Sequence, residues 1–100
     1  MIVMGWRFVG VRHVRTHPFT ERKRHGLLEM AIDATDPDGR EHLGVISVKA
    51  FNRRKNPVIV VPLEEGTIPP GILERMARSV EAERQIHLLI KEHLGFTPPR

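Results

Sequence analysis

The chain contains no cysteine. That excludes a disulfide framework, a thiolate metal site and a cysteine nucleophile. It has no tyrosine, one tryptophan and four phenylalanines, so little ring surface is available for stacking on bases. Ser47 and Ser79 are the only serines, and neither lies in a G-x-S-x-G context. Phosphate-cradling G-x-x-x-x-G-K-[ST] and G-x-G-x-x-G loops and the H-E-x-x-H zinc helix are also missing. A non-enzymatic protein without metal or cofactor is therefore expected. The longest apolar runs, 57–63 and 88–90, fall far short of the roughly 18–20 residues a membrane helix needs. After Met1–Met4 the apolar Trp6 is followed at once by Arg7, so no secretory signal is read and a cytoplasmic location is expected.

What is present suits one globular domain spanning residues 1–100. Hydrophobic residues make up 40% and charged ones 28%, which excludes a disordered or fibrous chain. The net charge of +4 is unevenly spread: residues 1–55 carry +5 and residues 56–100 carry −1. Such asymmetry points to a partner of negative charge.

Two periodicities divide the chain. Segments 2–14, 27–35, 42–51 and 57–62 read as strands. In the second, Leu28, Met30, Ile32 and Ala34 share one face, with Glu29 and Asp33 on the other. In the third, Leu43, Val45, Ser47, Lys49 and Phe51 oppose Ile46, Val48 and Ala50. Asp36-Pro37-Asp38-Gly39 is a tight-turn signature, because proline presets the second position and glycine accepts the left-handed conformation that follows. From Pro70 the period changes. Leu73, Met76, Val80, Glu83, His87, Ile90 and Leu94 recur at three- and four-residue steps, which predicts one long helix over 70–94, preferred to a pair broken near Ser79 because Ala and Glu dominate the middle. Pro69-Pro70 marks its start and Gly95 its end. The expected architecture is α+β: a four-stranded antiparallel meander with one C-terminal helix packed on the sheet.

That topology acts on the charges. In a meander the first and third connections share one end of the sheet. The first carries Arg15, His17, Arg22, Lys23, Arg24 and His25, and the third carries Arg53, Arg54 and Lys55. Seven Lys/Arg side chains would converge there, flanked by Phe19 and Phe51, while Asp36, Asp38, Glu64 and Glu65 go to the opposite end. Clustered cations suit a phosphate backbone, since each neutralised phosphate releases counterions. The expected contacts are Arg15, Arg22, Lys23, Arg24, Arg53, Arg54 and Lys55, with Phe19 or Phe51 in support.

One helix covers one face of the sheet, yet several strands are apolar on both faces, so a partner is expected and a homo-oligomer is the simplest one. The helical stripe holds Glu83 and His87 at i,i+4, a pair suited to fixing register between helices, with a metal or acid/base site and a place at the edge of a half-covered stripe as the other readings. Met76, Val80, Glu83, His87 and Ile90 are accordingly the expected oligomer interface.

Residues 58–80, with Val60-Val61-Pro62 followed by Thr67-Ile68-Pro69-Pro70-Gly71-Ile72-Leu73-Glu74-Arg75-Met76, resemble the closing strand and helix of HicA-type mRNA interferase toxins. That resemblance implies a short antiparallel sheet binding double-stranded RNA and a catalytic histidine in a Gly-Ser-His context. This chain has no Gly-Ser-His, so the catalytic residue does not carry over.

The reading of the sequence is thus a small basic protein that binds single-stranded DNA or RNA with weak sequence preference, as a homo-oligomer and without catalysis. A protein-docking assembly subunit and a small toxin-type ribonuclease using His17 or His25 are the alternatives.

Overall fold

The computed structural model describes residues 1–17, 25–51 and 58–98. Five strands, β1 (Ile2–Val3), β2 (Trp6–Thr16), β3 (His25–Thr35), β4 (Glu41–Phe51) and β5 (Val58–Gly66), are followed by α1 (Pro70–Ala77) and α2 (Val80–Leu94). The strands pair consecutively and antiparallel, in the order β1-β2-β3-β4-β5, to form a curled half-barrel sheet. The α+β class and the antiparallel meander are as expected.

Two details differ from that expectation. The first strand is not continuous: Met4 and Gly5, with φ of 49° and 82°, form a two-residue reversal that pairs Val3 with Trp6. Positive φ at both central positions suits the right-handed twist of the flanking strands. A methionine there carries no turn signature, so the reversal is invisible in the residues. The helix, expected in one piece, is two. The Ser79 Oγ donates to the Met76 carbonyl at 2.7 Å and accepts from the Ala82 N–H at 3.1 Å, with Ser79 itself extended. A serine that can bond its neighbours' backbone ends one helix and caps the next.

The break shifts the helical phase. Leu73, Met76 and Ala77 of α1 are buried, and then Ala82, Ile86 and Ile90 of α2 take over. Val80 is 64% exposed and Glu83 is exposed, so the single stripe expected through them does not exist. The strand faces are as expected: Leu28, Met30, Ile32, Ala34, Ile46, Val48 and Ala50 all enter the core beneath the helices. Fully burying a side chain such as Ile46 stabilises by about 1.5–3 kcal/mol.

Two glycines let the helices approach the sheet. The Leu73 methyls lie where a Gly44 Cβ would stand, and the Leu94 methyls occupy the same place over Gly26. On β2, bulges at Val9 and Val14 shift the register against β3. β1 covers only Trp6 and Arg7; beyond it the Val11 N–H donates to Gln85 Oε1 at 2.6 Å, so α2 shields this edge of the sheet. Pro62 sits in β5, at the other edge, where a missing N–H is tolerated.

Candidate functional site

The register fixes which chain ends are neighbours. His25 faces Phe51 across β3 and β4, Ala50 faces Val58 across β4 and β5, and Thr16 faces Leu28 across β2 and β3. The strand ends leading into 18–24 and 52–57 therefore stand side by side at one pole. α2 ends there as well, since Leu94 packs over Gly26. Asp36, Asp38, Glu64 and Glu65 lie toward the other pole, where β3 turns into β4 and β5 runs on to α1.

Among the expected phosphate contacts, Arg15 belongs to the described residues. Arg22, Lys23, Arg24, Arg53, Arg54, Lys55 and Phe19 lie outside them. The Arg15 Nε pairs with Glu29 Oε2 at 3.3 Å, and the His17 Nε2 reaches the same oxygen at 3.2 Å. The Arg15 side chain is largely exposed, and a surface pair of this kind contributes only about 0–1 kcal/mol, so Glu29 holds the guanidinium weakly. The His25 and Phe51 rings form a tilted pair with centroids 5.1 Å apart at the pole itself. Lys49, exposed one register step back from Ala50, adds a cation on the outer face that the sequence reading left aside.

The expected oligomer residues are dispersed. Met76 and Ile90 have no exposed surface and belong to the core of this chain; Val80 and Glu83 face solvent, and His87 is half-buried. Apolar surface remains open on the sheet face away from the helices, where Leu43, Ile59 and Val61 are exposed, as well as at Val80 and Leu88 on α2 and at Ile2, Met4 and Val9.

One constellation was not read from the sequence. His42 donates or accepts at both ring nitrogens: Nε2 lies 2.8 Å from Asp36 Oδ2 and Nδ1 lies 2.7 Å from Thr67 Oγ1. The Trp6 ring tilts against it at 4.8 Å. Asp36 is held below the usual carboxylate range, first by the Arg40 N–H and then by His42, with the Asp38 N–H adding to it. A shallow cleft of about 520 Å³ opens beside it, lined in part by Arg12, Asp33, Glu41 and Gly66. Carboxylate, imidazole and hydroxyl in sequence suit proton transfer in principle. Here the Thr67 N–H is spent on the Leu43 carbonyl at 2.8 Å, so it does not serve as an oxyanion donor. The arrangement pins the β3–β4 turn to the approach of α1. Its only sequence signal was the Asp36 turn with a histidine six residues on; Thr67, 25 residues further, gave none.

His13 and His17, four apart, diverge. His13 stacks flat on His93 of α2, with centroids 3.6 Å apart, while His17 turns to Glu29. Burial holds the His13 pKa below its ordinary value and His93 lowers it further, against the opposing pull of Glu92. Among the described residues no three metal-ligating side chains gather. No helix of the described residues is long and apolar enough to cross a membrane.

Comparison with protein-family models, with curated proteins and with solved structures found no match.

Proposed function

We propose that the protein binds single-stranded DNA or RNA through its basic pole, with weak sequence preference and without catalysis, as a homo-oligomer. The observation that supports this reading is the unbroken β2-β3-β4-β5 pairing, which brings the strand ends flanking 18–24 and 52–57 together. Those two stretches carry Arg22, Lys23, Arg24, Arg53, Arg54 and Lys55 in the sequence, with Arg15 and Lys49 on the adjoining strands. Binding at such a pole runs through phosphates, so it reads charge rather than base identity.

The oligomer rests on the open sheet face bearing Leu43, Ile59 and Val61, not on the helical stripe. The same face favours the second reading, an assembly subunit that docks another protein there. Fluorescence anisotropy with short oligo-dT and oligo-U across a salt series separates the two. The expected result is a steep decline of affinity with salt, reduced when Arg53, Arg54 and Lys55 are changed together to Gln. A log–log slope near zero overturns the nucleic-acid reading and leaves the docking one.

A further inference from the structure

We propose that the cleft between α2 and the segment that follows it is a phosphate-binding site. The cleft measures about 420 Å³ and is lined by Arg84, His87, Leu88, Lys91 and Thr97. That size falls in the range of small-ligand sites. Arg84, His87 and Lys91 stand three and four residues apart on one ridge of α2, with neighbouring side chains roughly 5–6 Å from one another at the Cβ.

Three features set this ridge apart from an ordinary solvated helix face. First, none of the three basic side chains makes an ion pair among the described residues. The acids of α2 are mostly directed elsewhere. Glu81, one turn before Arg84, is held by the Met1 ammonium at 3.1 Å, and Glu92 acts on His13 at the β2 side. Glu83, one turn before His87, is exposed and makes no ion pair among the described residues. Second, the helix dipole accounts for Lys91, in the last turn, but not for Arg84, which lies in the half where a cation gains nothing. Third, the cations border an open concavity, and Thr97, from beyond the helix, lines it as well.

The donor set defines the ligand. A guanidinium fork, an ammonium, an imidazole and a hydroxyl-bearing residue border one cleft, a donor set suited to a phosphoryl group with room left for whatever carries it. Leu88, 66% exposed at the rim, offers apolar contact to whatever bears the phosphate. The phosphate has two sources. It is either a free phosphoryl compound, or the backbone of a strand that leaves the basic pole and follows α2, which ends at that pole; this second source rests on the function proposed above.

The test uses the full chain, isotope-labelled, and the double variant Arg84→Gln/Lys91→Gln. Both positions are exposed, so the variant is expected to keep the fold, verified by its unchanged spectrum elsewhere. Inorganic phosphate, against chloride at equal ionic strength, is expected to shift the resonances of Arg84, His87, Lys91 and Thr97 saturably in the native chain and not in the variant. Oligo-U across a salt series then identifies the source. A slope lowered in the variant by about 1.4, at roughly 0.7 per phosphate lost, assigns the backbone. An unchanged slope together with the phosphate shifts assigns a free phosphoryl ligand. If the native chain binds no oligonucleotide, the nucleic-acid reading fails while the phosphate arm still decides the site. Absence of saturable shifts with both probes, or equal shifts in the variant, overturns the proposal.

Discussion

At the scale of single residues, the histidines show how the same side chain acquires different work from its surroundings. His42 is pinned between Asp36 and Thr67, His17 shares Glu29 with Arg15, and His13 lies flat on His93. The sequence did not show these partners, because the His13–His93 stack and the His42–Thr67 contact join residues 80 and 25 positions apart. His13 has a consequence for stability. Its pKa is lowered in the fold, by burial first and by His93 second, opposed by Glu92. The unfolded chain therefore takes up the proton first. The stability tied to neutral His13 is complete above the ordinary histidine value and is lost as pH falls through the lowered folded value. His13→Gln, which keeps a hydrogen-bonding partner for Thr16, is expected to flatten the decline of melting temperature between about pH 7 and pH 5. A decline as steep as that of the native chain counts against this account.

At the scale of elements, the strand faces were legible because a period of two leaves no ambiguity. Leu28, Met30 and Ile32 on β3 and Ile46, Val48 and Ala50 on β4 all point where alternation placed them. The turn at Asp36 was equally legible. Its carboxylate accepts the Asp38 and Arg40 N–H groups at 2.9 Å each, and Gly39 takes φ of 82°. The helical region was less so. A stripe at three- and four-residue steps ran unbroken through Val80, yet one serine side chain restarted the count. Ser79→Ala is expected to destabilise the fold by about 1 kcal/mol through loss of the cap, read from the urea midpoint, with Ser79→Asp retaining most of it. Equal loss in both variants would show that the junction is held by packing of Met76 and Ala82 instead.

At the scale of the whole molecule, the helices cover one face of the sheet, while the other exposes Leu43, Ile59 and Val61 beside the buried pair Ala31 and Val45, and this exposed surface carries the expectation of self-association. Pro62 and the charges of Glu64 and Glu65 make β5 a poor edge for adding a further strand, which favours the exposed sheet face over that edge for pairing. Light scattering of the native chain is expected to give a multiple of 11.5 kDa, and Ile59→Lys/Val61→Lys is expected to reduce it to that single mass. A native chain that already scatters as one 11.5 kDa unit removes the oligomer from the proposed function. What the residues settled unaided was local: which segments extend, which side of each is apolar, where the Asp36 and Gly95 punctuation falls, and how the charge divides along the chain. Each of these depends on neighbours a few positions apart. The helix break came from a hydroxyl competing for backbone, and the Met4-Gly5 reversal from a conformation that methionine does not advertise. The docking of α2 came from space left over Gly26, and the gathering of Asp36, His42 and Thr67 from strand register. The docking of α2 and that gathering were decided by contacts between distant parts of the chain, which exist only once the sheet has curled and the helices have closed on it, whereas the break and the reversal join residues three apart.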